Sequence, residues 1–512
     1  MANRYNLFLG ADFGTQGVRV GLADMTGKLL DTREVKYPIN YPEPGQAIQD
    51  SDDWWRGFKE ALNLVLTTLT SADKKNIKAI SICATSSTTV PVDKEGTALD
   101  YAMMWMDIRS KDIANRINET NHPVLGYCGD AVSPEWFIPK LLWIKENKRG
   151  IYDKADKIVE QIDLINFKLS NKWAASKVNA VCKWNYVDGI GFNDEYMKLI
   201  GLEDYKEKII TNVVPMGQSI GNLKFELAKE LGLDEIPVIQ GGIDAHIGMI
   251  GMGVVAPGKM AASMGTSFVQ LIFTDKTSPI KGIWGPYKEA MVIGLTLLEA
   301  GQISAGSIIK WYQKIFGLNG PESYQIMKDE VENVPLGACG IRALDFFQGN
   351  RTPYKDNYAT GAFFGLTLNH DRSHIHKAIM EAVALGFKNI VVNFEKSGVP
   401  IDKVFCTGGV TFDRIWMQIL ADVTGKEFTI NENTNYGTIL GCALLAAVGS
   451  GSCSSLDEAC ENMVHEKETV VPNLHNTKKY ENVFQEYLDL YQALKPLQKQ
   501  KVLKHITVGN LI

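Results

Sequence analysis

Three glycine-rich turns and two aspartates carry side chains suited to holding a phosphate chain and accepting a hydroxyl proton. In Asp12-Phe13-Gly14-Thr15-Gln16-Gly17, and again in Met264-Gly265-Thr266-Ser267, a glycine lets backbone N–H groups approach phosphate oxygens, while Thr15, Gln16, Thr266 and Ser267 add side-chain donors. Either turn alone also fits an ordinary hairpin; it is their pairing that points to a shared task. Asp12 could hold magnesium through water, because that ion gives up its hydration shell reluctantly. In Cys406-Thr407-Gly408-Gly409-Val410, two adjacent glycines ahead of a helix would let a flat adenine lie against backbone. Asp244 follows Gly241-Gly242-Ile243 and opens the apolar segment 245–252. It could cap that helix or accept the proton of an attacking hydroxyl, and the two roles are compatible. In a largely dissociative phosphoryl transfer the proton leaves late, so a weak carboxylate base suffices, with orientation and charge neutralisation doing most of the work.

The elements that must carry these residues follow from periodicity. Leu7-Phe8-Leu9-Gly10-Ala11 reads as a buried strand, and alternating Val18, Val20 and Leu22 predict that the chain reverses into a second one. The first glycines thus sit in a hairpin, unlike a Walker-type loop, which passes from strand to helix. Trp54, Trp55, Phe58, Leu62, Val65 and Leu69 are spaced as one face of a helix. Residues 77–84 read as a buried strand ending in Thr85-Ser86-Ser87-Thr88-Thr89, and Pro237-Val238-Ile239-Gln240 as a short strand feeding Asp244. Met260–Ser263 and Phe268–Phe273 repeat the strand, Gly-Thr turn, strand pattern of the opening. Two domains of related topology are therefore expected, with a junction at 253–258 around Pro257. From about Leu456 the pattern is charged and helical, suggesting a peripheral cover.

Composition bounds the function classes. The 512 residues exceed one ordinary domain, and 45% hydrophobic with 22% charged residues describes a packed globular chain. A formal charge of −6 does not suit a nucleic-acid binder. No apolar run is long enough to span a bilayer; the best, 439–448, is broken by Gly441. Met1-Ala2-Asn3-Arg4-Tyr5 enters the first strand with no apolar signal region, and the 8 cysteines form no C-x-x-C pair, so a cytoplasmic protein with reduced thiols is expected. His370, His374 and His376 stand with Asp371 and Arg372 where a helix should begin, and are read as a solvated helix end rather than a zinc site.

Taken together, these motifs resemble the FGGY family of carbohydrate kinases over nearly the whole chain. Lys140-Leu141-Leu142-Trp143-Ile144-Lys145-Glu146-Asn147 is similar to the family's N-terminal signature. Gly361, Phe363, Gly365 and Leu366, then His374-Ile375 and Ala378-Ile379-Met380-Glu381, are similar to its C-terminal one. The resemblance implies an α/β fold of two ribonuclease H-like domains, as in the actin and hexokinase ATPases, flanking a catalytic cleft that closes on the sugar and excludes water. Residues 1–253 would bind sugar and supply Asp244 as general base; residues 254–512 would carry most of the nucleotide site. ATP would meet Gly14, Thr15, Gln16, Gly265, Thr266, Ser267, Gln302, Gly408, Gly409 and Asp413, with Mg2+ near Asp12 and Asp244. Asp413 stands where many relatives have Ser or Asn beside adenine. A homodimer is common in the family, though nothing in the sequence marks its interface.

For the sugar, Ser86, Ser87, Trp105, Asp107 and Lys183 are candidate contacts; a strand-end turn, a core tryptophan, an Asp107–Arg109 surface pair and a solvated helix end are their plainer alternatives. Thr85-Ser86-Ser87-Thr88 replaces the Arg-Glu pair of glycerol kinases. Asp244-Ala245-His246, Ser133-Pro134-Glu135, Cys182-Lys183-Trp184 and Glu299-Ala300-Gly301-Gln302 look like ribulokinases, the D-ribulose branch above the L-ribulose branch. By that resemblance Lys183 and Glu299 would touch a ketopentose. L-ribulose, xylulose or a pentitol is the alternative substrate. An inactive, nucleotide-dependent sugar-binding regulator is the alternative class, against which the retention of Asp12, Gly14, Thr15, Asp244 and Gly265 speaks.

Overall fold

The computed structural model describes residues 6–509, so the opening pentapeptide lies outside the described residues. Two mixed sheets dominate. The first contains β1 (Leu7–Gly14), β2 (Gly17–Asp24), β3 (Leu29–Lys36), β4 (Ile77–Ala84), β5 (Ser219–Asn222) and β6 (Pro237–Ile239), in the order β5-β6-β4-β1-β2-β3. The second contains β7 (Gly258–Met264), β8 (Phe268–Thr274), β9 (Trp284–Lys288), β10 (Thr296–Gln302), β11 (Ile401–Thr407), β12 (Glu427–Asn431) and β13 (Glu466–Val470), in the order β9-β10-β8-β7-β11-β12-β13.

The two sheets repeat one plan. In the first, β1, β2 and β3 form an antiparallel meander, β1, β4 and β6 run parallel, and β5 closes the edge antiparallel. In the second, β7, β8 and β10 form the meander, β7, β11 and β12 run parallel, and β13 closes the edge antiparallel, with β9 added beyond β10. The central strands are apolar almost throughout, as strands buried on both faces must be: β1 is buried from Leu7 to Phe13 and β4 from Ala79 to Ala84. The hairpin reading of both Gly-Thr turns is correct, with Phe13 opposite Val18 and Met264 opposite Phe268.

Helices cover the sheets: α1 (Ser51–Leu66), α2 (Lys177–Lys183), α3 (Asp244–Gly251), α4 (Gly306–Ile315), α5 (Arg372–Lys396), α6 (Arg414–Thr424), α7 (Gly437–Gly449) and α8 (Leu474–Gly509). Amphipathic α1 buries Trp54, Phe58, Leu62 and Val65 on one face. α7 is apolar all round and is buried from Ile439 to Ala447. It packs against α3, β1 and β4, so a helix from the second half of the sequence completes the first core. Among the described residues, no helix is long and apolar enough to cross a membrane.

The segment beyond Leu456 is more than a peripheral cover. Its residues Glu466–Val470 form the edge strand β13, and α8 buries Tyr480, Tyr487 and Tyr491. Charged side chains hid both: Glu466, Lys467 and Glu468 open β13, and the buried face of α8, with Tyr480, Val483, Phe484, Tyr487 and Tyr491, is interleaved with charged residues. Asp371 caps α5, with its carboxylate accepting from Ser373 N–H and with His374 as the third helical residue, so the histidine group does stand at a helix start.

Candidate active site

Three parallel strands of the first sheet end side by side, and their carboxyl ends carry three of the sequence motifs. In register, Asp12 lies beside Cys83 and Phe13 beside Ala84; Ala84 N–H then donates to the Gly242 carbonyl at 3.1 Å. The turns at Gly14, at 85–88 and at 241–244 therefore meet at one edge, where ligands bind in open sheets of this kind. Gly241 is required there: a Cβ would stand 1.9 Å from the Ile82 carbonyl oxygen.

Asp244 is the first residue of α3, not its cap, which is Ile243. Its Oδ1 accepts only from the adjacent Ala245 N–H, 2.7 Å, and the side chain is half-buried. Burial, with the negative charge of Asp12 added, pushes its carboxyl up to about 7. Asp12 is buried; Thr438 Oγ1, from the first turn of α7, donates to its Oδ2 at 2.8 Å, and Arg19 lies 3.6 Å away. Burial raises Asp12 too, against the pull of the Thr438 hydroxyl and Arg19.

The first Gly-Thr turn is fixed from several sides. Tyr37 Oη donates to the Gly14 carbonyl at 2.6 Å, Gln49 Nε2 to the Thr15 carbonyl at 2.9 Å, and Trp105 Nε1 to Thr15 Oγ1 at 3.1 Å. Gln16 is exposed at the turn's tip. Trp105 is 37% exposed, so it is a wall residue rather than core, and its indole ties its own loop to the first Gly-Thr turn.

Lys183 ends α2, and its Nζ lies 3.2 Å from Glu299 Oε2 on β10 of the second sheet, with the ammonium 5.0 Å from the Trp136 ring. Both side chains are largely buried, so this ion pair bridges the two halves of the chain across the cleft. Burial would raise Glu299, but the charges of Lys183, His246 and Arg351 outweigh it and hold the carboxyl below its usual range. Ser86 and Ser87 stand at the β4 end with their hydroxyls 3.2 Å apart.

Two expected contacts need correction. Asp107 is completely buried, and both oxygens are occupied: by Ala47 N–H at 2.8 Å, by Arg109 Nη2 at 2.6 Å and by Arg109 Nε at 2.9 Å. It is neither a surface pair nor a direct sugar contact, but a brace for the Trp105 turn. Gln302 faces the core of the second domain, where its Nε2 donates to Asp345 Oδ2 at 3.0 Å and to the Val383 carbonyl at 2.9 Å. It does not reach a nucleotide. Glu299 and Gln302 are three residues apart on a strand, so they point to opposite faces.

On the second domain, a cavity of about 540 Å3 lies between the turn at Met264–Thr266 and the segment Gly409–Asp413. That is ample for a nucleoside. Gly408 has φ +102° and a Cβ would stand 2.5 Å from the Met264 carbonyl oxygen, so only glycine fits; a Cβ on Gly409 would meet nothing, leaving bare backbone facing the opening. Asp413 lines the cavity while capping α6, accepting from Trp416 N–H at 3.0 Å. Thr266 and Ser267 are exposed at the turn. Residues missed in the sequence complete the wall: Gly306, Lys310, Tyr324, Lys328 and His376. Gly306 could not be read from sequence, because its place follows from a long-range contact: its N–H donates to the Gly265 carbonyl at 3.2 Å and ties the start of α4 to the Gly-Thr turn.

His246 and His376 are buried at 2% and 4% exposure, and burial brings both down to about 4 from 6.5. A depressed folded value means that stability is present in full above about pH 6.5 and is lost as pH falls towards 4, by up to about 3 kcal/mol per histidine. Urea midpoints should fall across that window. His376→Phe, which keeps the ring stacked on Tyr312 at 5.1 Å, should remove one share of the slope. A slope unchanged by the substitution would show that His376 is not the titrating group.

The N-terminal domain of the FGGY family of carbohydrate kinases matches residues 7–251, and its C-terminal domain matches residues 260–450. An FGGY carbohydrate kinase domain-containing protein of Xenopus laevis is 32% identical over 540 aligned residues, covering 96% of this chain and 97% of its own. A ribulokinase of Bacillus licheniformis is 29% identical over 90% of this chain and 91% of its own. A ligand-bound xylulose kinase from Lactobacillus acidophilus has the same fold, with a TM-score of 0.86 at 22% identity, covering 96% of this chain and 98% of that one. With the paired sheets, the cleft and both domain matches in agreement, the chain belongs to the FGGY family of carbohydrate kinases, ATP-dependent phosphotransferases of the two-domain, actin- and hexokinase-like fold.

Proposed function

We propose that the protein transfers the terminal phosphoryl group of magnesium-ATP to a hydroxyl of a ketopentose, D-ribulose first, yielding the 5-phosphate. The observation that carries this is Asp244: a half-buried carboxyl at the meeting of three strand ends, with one internal partner on Oδ1 and an affinity for protons raised towards neutrality by burial. A base with these properties can take the hydroxyl proton late in the transfer without being locked in an internal salt bridge. We further propose a division near residue 253, with sugar held mainly by the first part and nucleotide by the second.

The polar groups suit a pentulose. Ser86 offers a hydroxyl backed by that of the buried Ser87, Trp105 a flat apolar wall, and Lys183 with Glu299 a donor and an acceptor whose mutual contact can open to receive a sugar hydroxyl. The ribulokinase likeness of Asp244-Ala245-His246 and Cys182-Lys183-Trp184 favours ribulose over xylulose or a pentitol. Adenine would lie over Gly408 and Gly409, and the triphosphate between the turns at 14–16 and 265–267.

The residues present also fit magnesium. Asp12 and Asp244 are two carboxylates close enough that the charge of one raises the proton affinity of the other, a repulsion that a cation relieves. Among the described residues, no cluster of three or more His, Cys, Asp or Glu could hold an ion on protein ligands alone, which suits a cation carried mainly by water and phosphate. When bound, it would neutralise charge developing on the phosphoryl oxygens.

The test is a coupled ADP-release assay across D-ribulose, L-ribulose, D-xylulose, pentitols and glycerol. D-Ribulose should give the highest kcat/KM, by tenfold or more over glycerol, whose three carbons leave the Lys183–Glu299 end unfilled. Equal rates on ribulose and glycerol, or none on ribulose, would reject the assignment.

A further inference from the structure

Lys140, in the N-terminal family signature, and Glu160 are both completely buried, and neither side chain opens onto the cleft. Their side-chain contacts nonetheless converge on the segments proposed to hold the sugar, while the Glu160 main-chain N–H turns to Asp163 Oδ2 at 3.1 Å. Lys140 Nζ donates to the Ser87 carbonyl at 2.9 Å and to the Met104 carbonyl, next to Trp105. The Glu160 carboxylate accepts from Ser87 N–H at 2.6 Å, from Asn179 Nδ2 on α2 at 2.7 Å, and from the indole N–H of Trp184, next to Lys183. Lys140 thus meets only acceptors and Glu160 only donors, the pattern that suits an ammonium and a carboxylate. The Phe137 ring, which opens the helix bearing Lys140, stacks on Trp184 at 4.2 Å and closes the circuit.

Ser87 shows what the arrangement achieves. Its φ is +55°, a left-handed conformation that a non-glycine residue seldom keeps unless its surroundings enforce it. Here its N–H is held by Glu160 and its carbonyl by Lys140. The constraint passes on, because Trp105 N–H donates to Thr88 Oγ1 at 3.2 Å and the Trp105 indole reaches Thr15 in the phosphate turn. Buried charges are poor evidence of stabilisation, since apolar replacements often do as well; what these two fix is arrangement.

We propose that Lys140 and Glu160 are positioning residues that hold the 85–88 loop, the Trp105 turn and the Lys183 end of α2 in one sugar-binding geometry. This rests on the sugar-kinase reading above, and wild-type turnover of D-ribulose tests that reading separately. The variants are Lys140→Met, Glu160→Gln, their double, and the milder Trp184→Phe, which removes one donor while keeping the stacked ring. In variants that keep a cooperative unfolding transition, KM for D-ribulose should rise at least tenfold for the two charge variants and about threefold for Trp184→Phe, while KM for ATP stays within twofold. The double variant should be no worse than the worse single one, because the two residues act as a unit. Calorimetry of D-ribulose binding without ATP should show the same ranking. Folded variants with unchanged sugar KM and binding, or with sugar and ATP KM raised alike, would overturn the proposal; if the charge variants fail to fold, Trp184→Phe decides alone by the same two readouts.

Discussion

Asp244→Asn should lower kcat about 1,000-fold or more while ATP binding stays within about twofold of wild type. Asn occupies the volume of Asp and can still accept from Ala245 N–H, so the start of α3 should survive. What disappears is the proton acceptor and one of two negative charges beside the phosphate turn. The nucleotide cavity lies on the other domain, between the turn at Met264–Thr266 and Gly409–Asp413, and loses nothing. Thermal stability should hold or rise slightly, because burying a carboxylate near the Asp12 charge is costly and the amide removes that cost. Turnover measured with saturating D-ribulose, beside ATP binding by calorimetry, separates the outcomes. Turnover within tenfold of wild type would mean that another group takes the proton; loss of ATP binding would mean that Asp244 shapes the nucleotide site instead.

Much of this site was legible in the sequence because its turns lie between strands of unmistakable period. Leu7–Gly14 and Ile77–Ala84 are buried strands that end in polar residues, and such ends face outward together once the strands pair in parallel. Gly408 and Gly409 were readable for a similar reason, since adjacent glycines mark backbone that something must approach. Failures arose where residue type was trusted over direction. Gln302 is expected at the nucleotide from the motif it shares with Glu299, but a motif does not give direction, and strand alternation sends Gln302 to the core face where Asp345 and Val383 hold it. Asp107 and Arg109 read as a surface pair because periodicity cannot reveal that, beside the exposed Trp105, their side chains turn inward. The ion pair Lys183–Glu299 joins residues 116 positions apart, and only the meeting of two domains brings them within 3.2 Å. Lys140 and Glu160 are the clearest case: each is an ordinary charged residue in sequence, and its use appears only when three distant segments converge on it.

Gly251→Ala should be among the most damaging single substitutions in the chain, costing at least about 3 kcal/mol. α3 and α7 cross with their backbones in contact: a Cβ on Gly251 would stand 1.8 Å from the Gly437 carbonyl oxygen, and one on Gly441 would stand 2.1 Å from the Ile247 carbonyl oxygen. Both obstacles are main chain, so no rotamer change relieves them and the helices must separate, opening voids around neighbouring side chains that are packed without gaps. Gly150→Ala is the control. Gly150 is exposed in the short helix Arg149–Lys154, and a Cβ there meets nothing within 4 Å, so the same change should stabilise by roughly 0.5–1 kcal/mol through helix propensity. The crossing also ties stability to chemistry. Asp244 opens α3, and Thr438 in the first turn of α7 holds Asp12, so separating these helices moves both carboxylates at once. Any Gly251→Ala protein that remains folded should therefore show a kcat reduced tenfold or more with little change in KM for ATP. Urea denaturation of both alanine variants, followed by kinetics on the soluble fraction, tests this; a Gly251→Ala enzyme as stable and active as Gly150→Ala would show that the helices can part without moving the carboxylates, and that α7 covers the first sheet without setting its geometry.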